Sequence, residues 1–135
     1  MSFSIYVNAF ENEEWFHFPT AHLRSRFAPY LIRDDDGLWA ISFDQGASKS
    51  DMYVNDGIMT AGFAVNRPPA DIEFWSIIAG ILSDLPCVLY WPGGGAVVGS
   101  LKTLPHLPKD MVESLGLPFV STDAEQIRQY VRDNS

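Results

Sequence analysis

Residues 30–66, YLIRDDDGLWAISFDQGASKSDMYVNDGIMTAGFAVN, decide the fold. Short runs rich in β-branched and aromatic residues (Tyr30–Arg33, Leu38–Phe43, Met52–Val54, Ile58–Val65) are separated by turn chemistry, at intervals too small for a crossover helix. They read as an antiparallel meander. Gly37, after Asp34-Asp35-Asp36, and Gly57, after Asn55-Asp56, stand where a hairpin turn needs positive φ, which glycine adopts without steric cost. Gln45–Ser50 reads as a flexible loop, and Asn66-Arg67-Pro68-Pro69 stops the last strand because proline cannot donate to a ladder.

Upstream, Ile5, Val7 and Ala9 alternate with Ser4, Tyr6, Asn8 and Phe10, the two-residue period of a half-buried strand. Glu11-Asn12-Glu13-Glu14 ends it. A short helix follows, with Thr20 as its expected N-cap and Pro29 closing it by about Phe27. Downstream, Asp71–Leu85 carries Phe74, Ile77, Ile78, Ile81 and Leu85 on one face and Ile72, Trp75, Ala79 and Leu82 on an adjacent one, which predicts a central helix packed on the sheet. Pro86 ends that helix, Cys87–Trp91 reads as an apolar strand, and Ala96–Val98 as a further short one. The rest is punctuated by proline (Leu104-Pro105-His106-Leu107-Pro108), with helices over Lys109–Leu115 and Asp123–Arg132, the latter capped by Thr122 or Asp123. The expected fold class is α+β: a mainly antiparallel sheet against a central helix, a proline-punctuated C-terminal part and a terminal helix, in one domain over residues 1–135.

A chain of 135 residues with 47% hydrophobic and 19% charged residues has the apolar surface to fold unaided, which excludes a disordered segment. Its formal net charge of −8 repels phosphate backbones and anionic membrane surfaces, so neither nucleic acid nor membrane is an expected partner. No apolar run approaches the length of a bilayer span, the Met1–Tyr6 start has no signal-peptide pattern, and the single cysteine cannot form an internal disulfide. A cytoplasmic location is the expectation. The charge is uneven: residues 1–84 carry 12 acids against 5 bases, residues 85–135 carry 5 against 4. The densest acidic pieces are Glu11, Glu13 and Glu14 and then Asp34, Asp35 and Asp36, with Asp44, Asp51 and Asp56 beyond them. A partner drawn to them is basic.

Motifs for chemistry fail on spacing. A dinucleotide fingerprint from Gly93 meets Val98 where it needs glycine, and a phosphate loop from Gly94 to Gly99 meets Ser100 where it needs lysine. His17, His22 and His106 are too scattered for a zinc site, and Cys87 in its apolar strand reads as core. The segment Asp51–Gly57 is no calcium loop, since Tyr53 takes a ligand position and Asp56 the glycine position. No catalytic residue, metal or cofactor is predicted. Two aromatic groups remain, Trp15-Phe16-His17-Phe18 beside the acidic turn and Tyr90-Trp91 before the glycine run; they serve either as core or as anchors for a partner.

Phe3-Ser4-Ile5-Tyr6-Val7, Phe18-Pro19, Val65-Asn66-Arg67-Pro68, Val88–Gly95 and Leu104–Pro108 together resemble a family of small bacterial cytosolic proteins similar to immunity proteins of polymorphic toxin systems. The resemblance spans most of the chain and implies a non-enzymatic inhibitor that occludes a toxin's active site; the acidic excess makes the expected toxin domain a basic one. No catalytic residue comes with it. The expected contact surface is acidic: Glu11, Glu13, Glu14, Trp15, Asp34, Asp35 and Asp36. The rival expectation is a small enzyme or metabolite binder at the Pro92–Gly95 turn, drawing on Arg67, Tyr90, Trp91, Gly93, Gly94, Gly95 and His106.

Overall fold

The computed structural model describes residues 3–55 and 57–135; Asp56 of the Asn55–Gly57 turn and the Met1–Ser2 start lie outside them. The architecture is α+β, with a mostly antiparallel sheet of nine strands among the described residues. Strand β1 (Ser4–Glu11) runs through its middle, between β8 (Gly62–Asn66) and β9 (Cys87–Tyr90). Beyond β8 come β6 (Ser48–Val54), β5 (Leu38–Phe43) and the edge strand β4 (Leu31–Asp35), which are the expected meander. Beyond β9 come β10 (Ala96–Val98) and β11 (Phe119–Val120), and the β10–β11 pair is parallel. The two-residue strand β2 (Glu14–Trp15) folds back on the end of β1, while β3 (Phe18–Pro19) and β7 (Met59–Thr60) form a separate small ladder.

The alternation read in β1 sorts the two faces. Ile5, Val7 and Ala9 point into the main core with Trp39, Ile41, Phe43, Met52, Phe63 and Leu89 from neighbouring strands. Three helices close that face: α1 (Thr20–Phe27), α2 (Ile72–Asp84) and α4 (Ala124–Asn134). As the periodicity predicts, α2 buries Phe74, Trp75, Ile78, Ala79, Ile81 and Leu82. Among the described residues, the opposite face is covered only over its β9–β10 end. There a 3₁₀ helix (Leu101–His106), Leu107 just after it and α3 (Lys109–Leu115) lay Leu104, Leu107, Met111, Val112 and Leu115 over Phe10, Val88, Ala96 and Val98.

Four expectations are corrected. Gln45–Ser50 is no flexible loop throughout: β6 begins at Ser48, because Ser48, Lys49 and Ser50 pair with Phe43, Ser42 and Ile41, and the Ser50 hydroxyl donates to the Arg67 carbonyl at 2.7 Å. Ile58–Val65 is not one strand, since Met59–Thr60 pairs with β3 and the backbone breaks before Gly62, whose φ is +153°. Thr20 does not cap α1; Pro19 occupies that position, and Thr20 is the first helical residue, buried with its hydroxyl unpartnered among the described residues. The proline-rich tail contains the 3₁₀ helix and β11, neither of which has a periodic signature. Asp123 caps α4 as expected, its carboxylate accepting from the Gln126 amide at 2.9 Å.

Candidate functional site

The uncovered part of the second sheet face is where side chains with binding chemistry gather. Register places them in line: Leu38 pairs with Tyr53, Tyr53 with Ala64, Ala64 with Tyr6, Tyr6 with Tyr90. Residues directly opposite in a sheet share a face, so this row carries three tyrosines across successive strands. Small Ala64 separates Tyr6 from Tyr53, and Gly62 lies beside it on the same strand. Together they floor a groove of about 530 Å³, walled by Tyr6, Asn8, Trp15, His17, Asp36, Leu38 and Tyr53. Gly62 cannot be otherwise: a Cβ there would stand 2.0 Å from the Val7 carbonyl oxygen.

One side of the groove is rigid. Tyr6 and Tyr90 stack at 5.5 Å, and the Tyr90 hydroxyl donates to Asn8 Oδ1 at 2.7 Å. Burial and the neighbouring Tyr6 push the Tyr90 phenol above its ordinary pKa, so it stays a neutral donor at physiological pH. The other side is accessible. Trp15 stacks one ring face on Phe10 at 4.9 Å and keeps 57% of its surface exposed; Tyr53 keeps 50%. Exposed tryptophan and tyrosine around a concave surface are the residue types that anchor protein partners.

The expected acidic surface divides between structural and open residues. Asn12 and Glu13 take φ of 53° and 68°, the left-handed pair of a two-residue hairpin turn between β1 and β2. That turn is fastened to the C-terminal part. The Glu13 amide donates to the His106 carbonyl at 2.9 Å, the Asn12 amide donates to His106 Nδ1 at 3.1 Å, and Glu13 Oε1 accepts from the Lys109 amide at the start of α3. Asp34 binds Arg24 at 2.7 Å and Asp35 binds Arg33 at 3.0 Å. Glu11 and Glu14 face each other across the β1–β2 ladder with no cation between them among the described residues, and Asp36 reaches the groove likewise unpaired. Trp15 and Asp36, from acidic segments 21 positions apart, thus meet at one groove.

The residues of the rival site do not converge. Trp91 is buried, its indole N–H donating to the Asn134 carbonyl at 3.0 Å. Gly94 and Gly95 are there for packing, since a Cβ would run into Trp91 at the first and Tyr130 at the second. Gly93, at φ +73°, opens to solvent, Arg67 is exposed at φ 52° with no ion pair among the described residues, and His106 is spent on the β1–β2 turn. Only Tyr90 belongs to the sheet face just described. Cys87 is buried as expected, and burial pushes its thiol up to about 12, which removes it as a nucleophile.

Sequence reading marked Trp15 and His17 within one aromatic group but missed Tyr6, Asn8, Leu38 and Tyr53. The signal for Tyr6 and Asn8 lay in the outward half of the β1 alternation. Among the described residues no cluster of His, Cys, Asp and Glu is arranged to hold a metal ion, and no helix is long and apolar enough to cross a membrane. No protein-family model, curated protein or solved structure matches the chain.

Proposed function

We propose that this protein is a non-enzymatic binding protein that neutralises a cognate bacterial toxin by seating a basic toxin domain on the open sheet face. The observation that carries the reading is the meeting of exposed Trp15 and unpaired Asp36 in one groove with Tyr6 and Tyr53. Aromatic anchors hold a partner by desolvation, and the surrounding negative field speeds its arrival. The uncompensated pair Glu11 and Glu14 flanks Trp15 and extends that field along the hairpin. The metabolite-binding reading gains nothing from the Pro92–Gly95 turn, whose Gly94 and Gly95 are filled against by Trp91 and Tyr130.

The test is calorimetric titration against toxin domains encoded beside this chain, with inhibition of toxin activity measured in parallel. A 1:1 complex is expected that weakens as salt rises and loses about a hundredfold in affinity in the Trp15→Ala, Tyr53→Ala double variant. Absence of binding to every adjacent toxin domain, or a thermal shift with a metabolite that the double variant retains, overturns the reading.

A further inference from the structure

Taking the groove as the partner-binding face, we infer that its central occupant is a single arginine side chain projecting from the partner, stacked on Trp15 and neutralised by Asp36. The chain already contains this arrangement once, completed from within. The Arg24 guanidinium lies 4.9 Å from the ring centroid of Trp39, and the same Arg24 meets the Asp34 carboxylate at 2.7 Å. Tryptophan below, guanidinium above and carboxylate at the side is a combination in which the ring attracts the cation while the acid orients it.

The groove carries the same two residue types, a tryptophan ring and a carboxylate, on its lining. Trp15 offers a ring whose far face is already backed by Phe10, and Asp36 supplies a carboxylate two residues from Asp34. Asp34 and Asp35 have their own arginines; Asp36 has no cation among the described residues. Among the described residues the titratable groups lining the cavity are Tyr6, His17, Asp36 and Tyr53, with no lysine or arginine among them. The Ala64 and Gly62 floor leaves depth for a long side chain between Tyr6 and Tyr53. A guanidinium suits it better than an ammonium, being planar, weakly hydrated and able to stack and to bind a carboxylate with two N–H groups at once.

The test needs no toxin. The isotopically labelled protein is titrated with the capped tripeptide Gly-Arg-Gly and with its citrulline counterpart, which keeps the shape and loses the charge, and amide and indole N–H signals are followed by NMR. Saturable shifts are expected at the Trp15 indole and at the amides of Asp36 and Tyr53, with the citrulline peptide about tenfold weaker. Asp36→Asn and Trp15→Ala should each weaken the arginine peptide by about fivefold while leaving signals of the helical face in place. Equal binding of the citrulline peptide, no saturable shift, or shifts spread over other acidic surfaces and indifferent to both substitutions overturns the inference. If the tripeptide fails while a toxin domain still binds through the groove, the proposed function stands and the arginine falls; if the tripeptide binds and no toxin domain does, the reverse holds.

Discussion

The two faces of the same sheet are built from alternate residues of the same strands and treat their large side chains in opposite ways. On the helical face, Trp39 is 1% exposed and Arg24 lies over its ring. On the other, neighbouring Leu38 and its cross-strand partner Tyr53 stand half in water, and Trp15 rests one ring face on Phe10 with 57% of its surface exposed. The first face was closed by α1, α2 and α4; the second was closed by α3 and the 3₁₀ helix only as far as β9 and β10. Unfinished coverage leaves a groove whose aromatic residues are packed on one side only, Tyr6 on Tyr90 and Trp15 on Phe10.

This contrast is easiest to break at Trp39. Trp39→Ala should cost about 3–5 kcal/mol in denaturant unfolding, because it empties a fully enclosed volume; a loss below about 1 kcal/mol contradicts the assignment of the closed face. Cys87 sharpens the same point chemically. With its thiol held up to about 12 against an ordinary 9.0, the folded protein carries about a thousandfold less thiolate than the unfolded chain at mildly alkaline pH. Its reaction with a disulfide reagent should therefore track unfolding. The linkage has a definite sign: between pH 9 and 12 the unfolded state has shed this proton and the folded state has kept it, so stability falls as pH rises through that window. The raised Tyr90 phenol adds to the fall in the same direction.

At the boundary between the covered and open parts of the second face, Tyr90→Phe removes the hydroxyl that bonds Asn8 and should lower stability by about 1 kcal/mol while keeping the ring stacked on Tyr6. The smallest effect on stability is expected on the open face. Trp15→Ala and Tyr53→Ala should each change unfolding by no more than about 0.5 kcal/mol. The same variants should weaken partner binding strongly, and a variant that unfolds readily instead would make Trp15 a core residue.

Strands and helices were legible wherever one face is buried, as in β1, β5, α2 and α4, because burial imposes the period of the element on the sequence. The segments that misled carry no apolar sign of such a face: Ser50 is buried in β6 but is polar. Ser48–Ser50 reads as loop by composition and is a strand only because Phe43, Ser42 and Ile41 offer a ladder to it. The site was half legible: Trp15 and Asp36 stood out as an aromatic and an acid in charged segments, whereas Tyr6, Asn8 and Tyr53 hold outward strand positions, which alternation marks as facing away from the core without marking what they line.

By itself the sequence determined the α+β composition of elements, the apolar stripe of α2, the buried thiol and the excess of acid in the first 84 residues, since each follows from local residue order or simple counting. Tertiary structure alone decided which acids are spent, fixing Asp34 and Asp35 on arginines and Glu13 on α3. It alone aligned Leu38, Tyr53, Ala64, Tyr6 and Tyr90 in one row. Such a row is set by pairing between strands far apart in the chain, and register of that kind is a property of contacts that no single segment encodes.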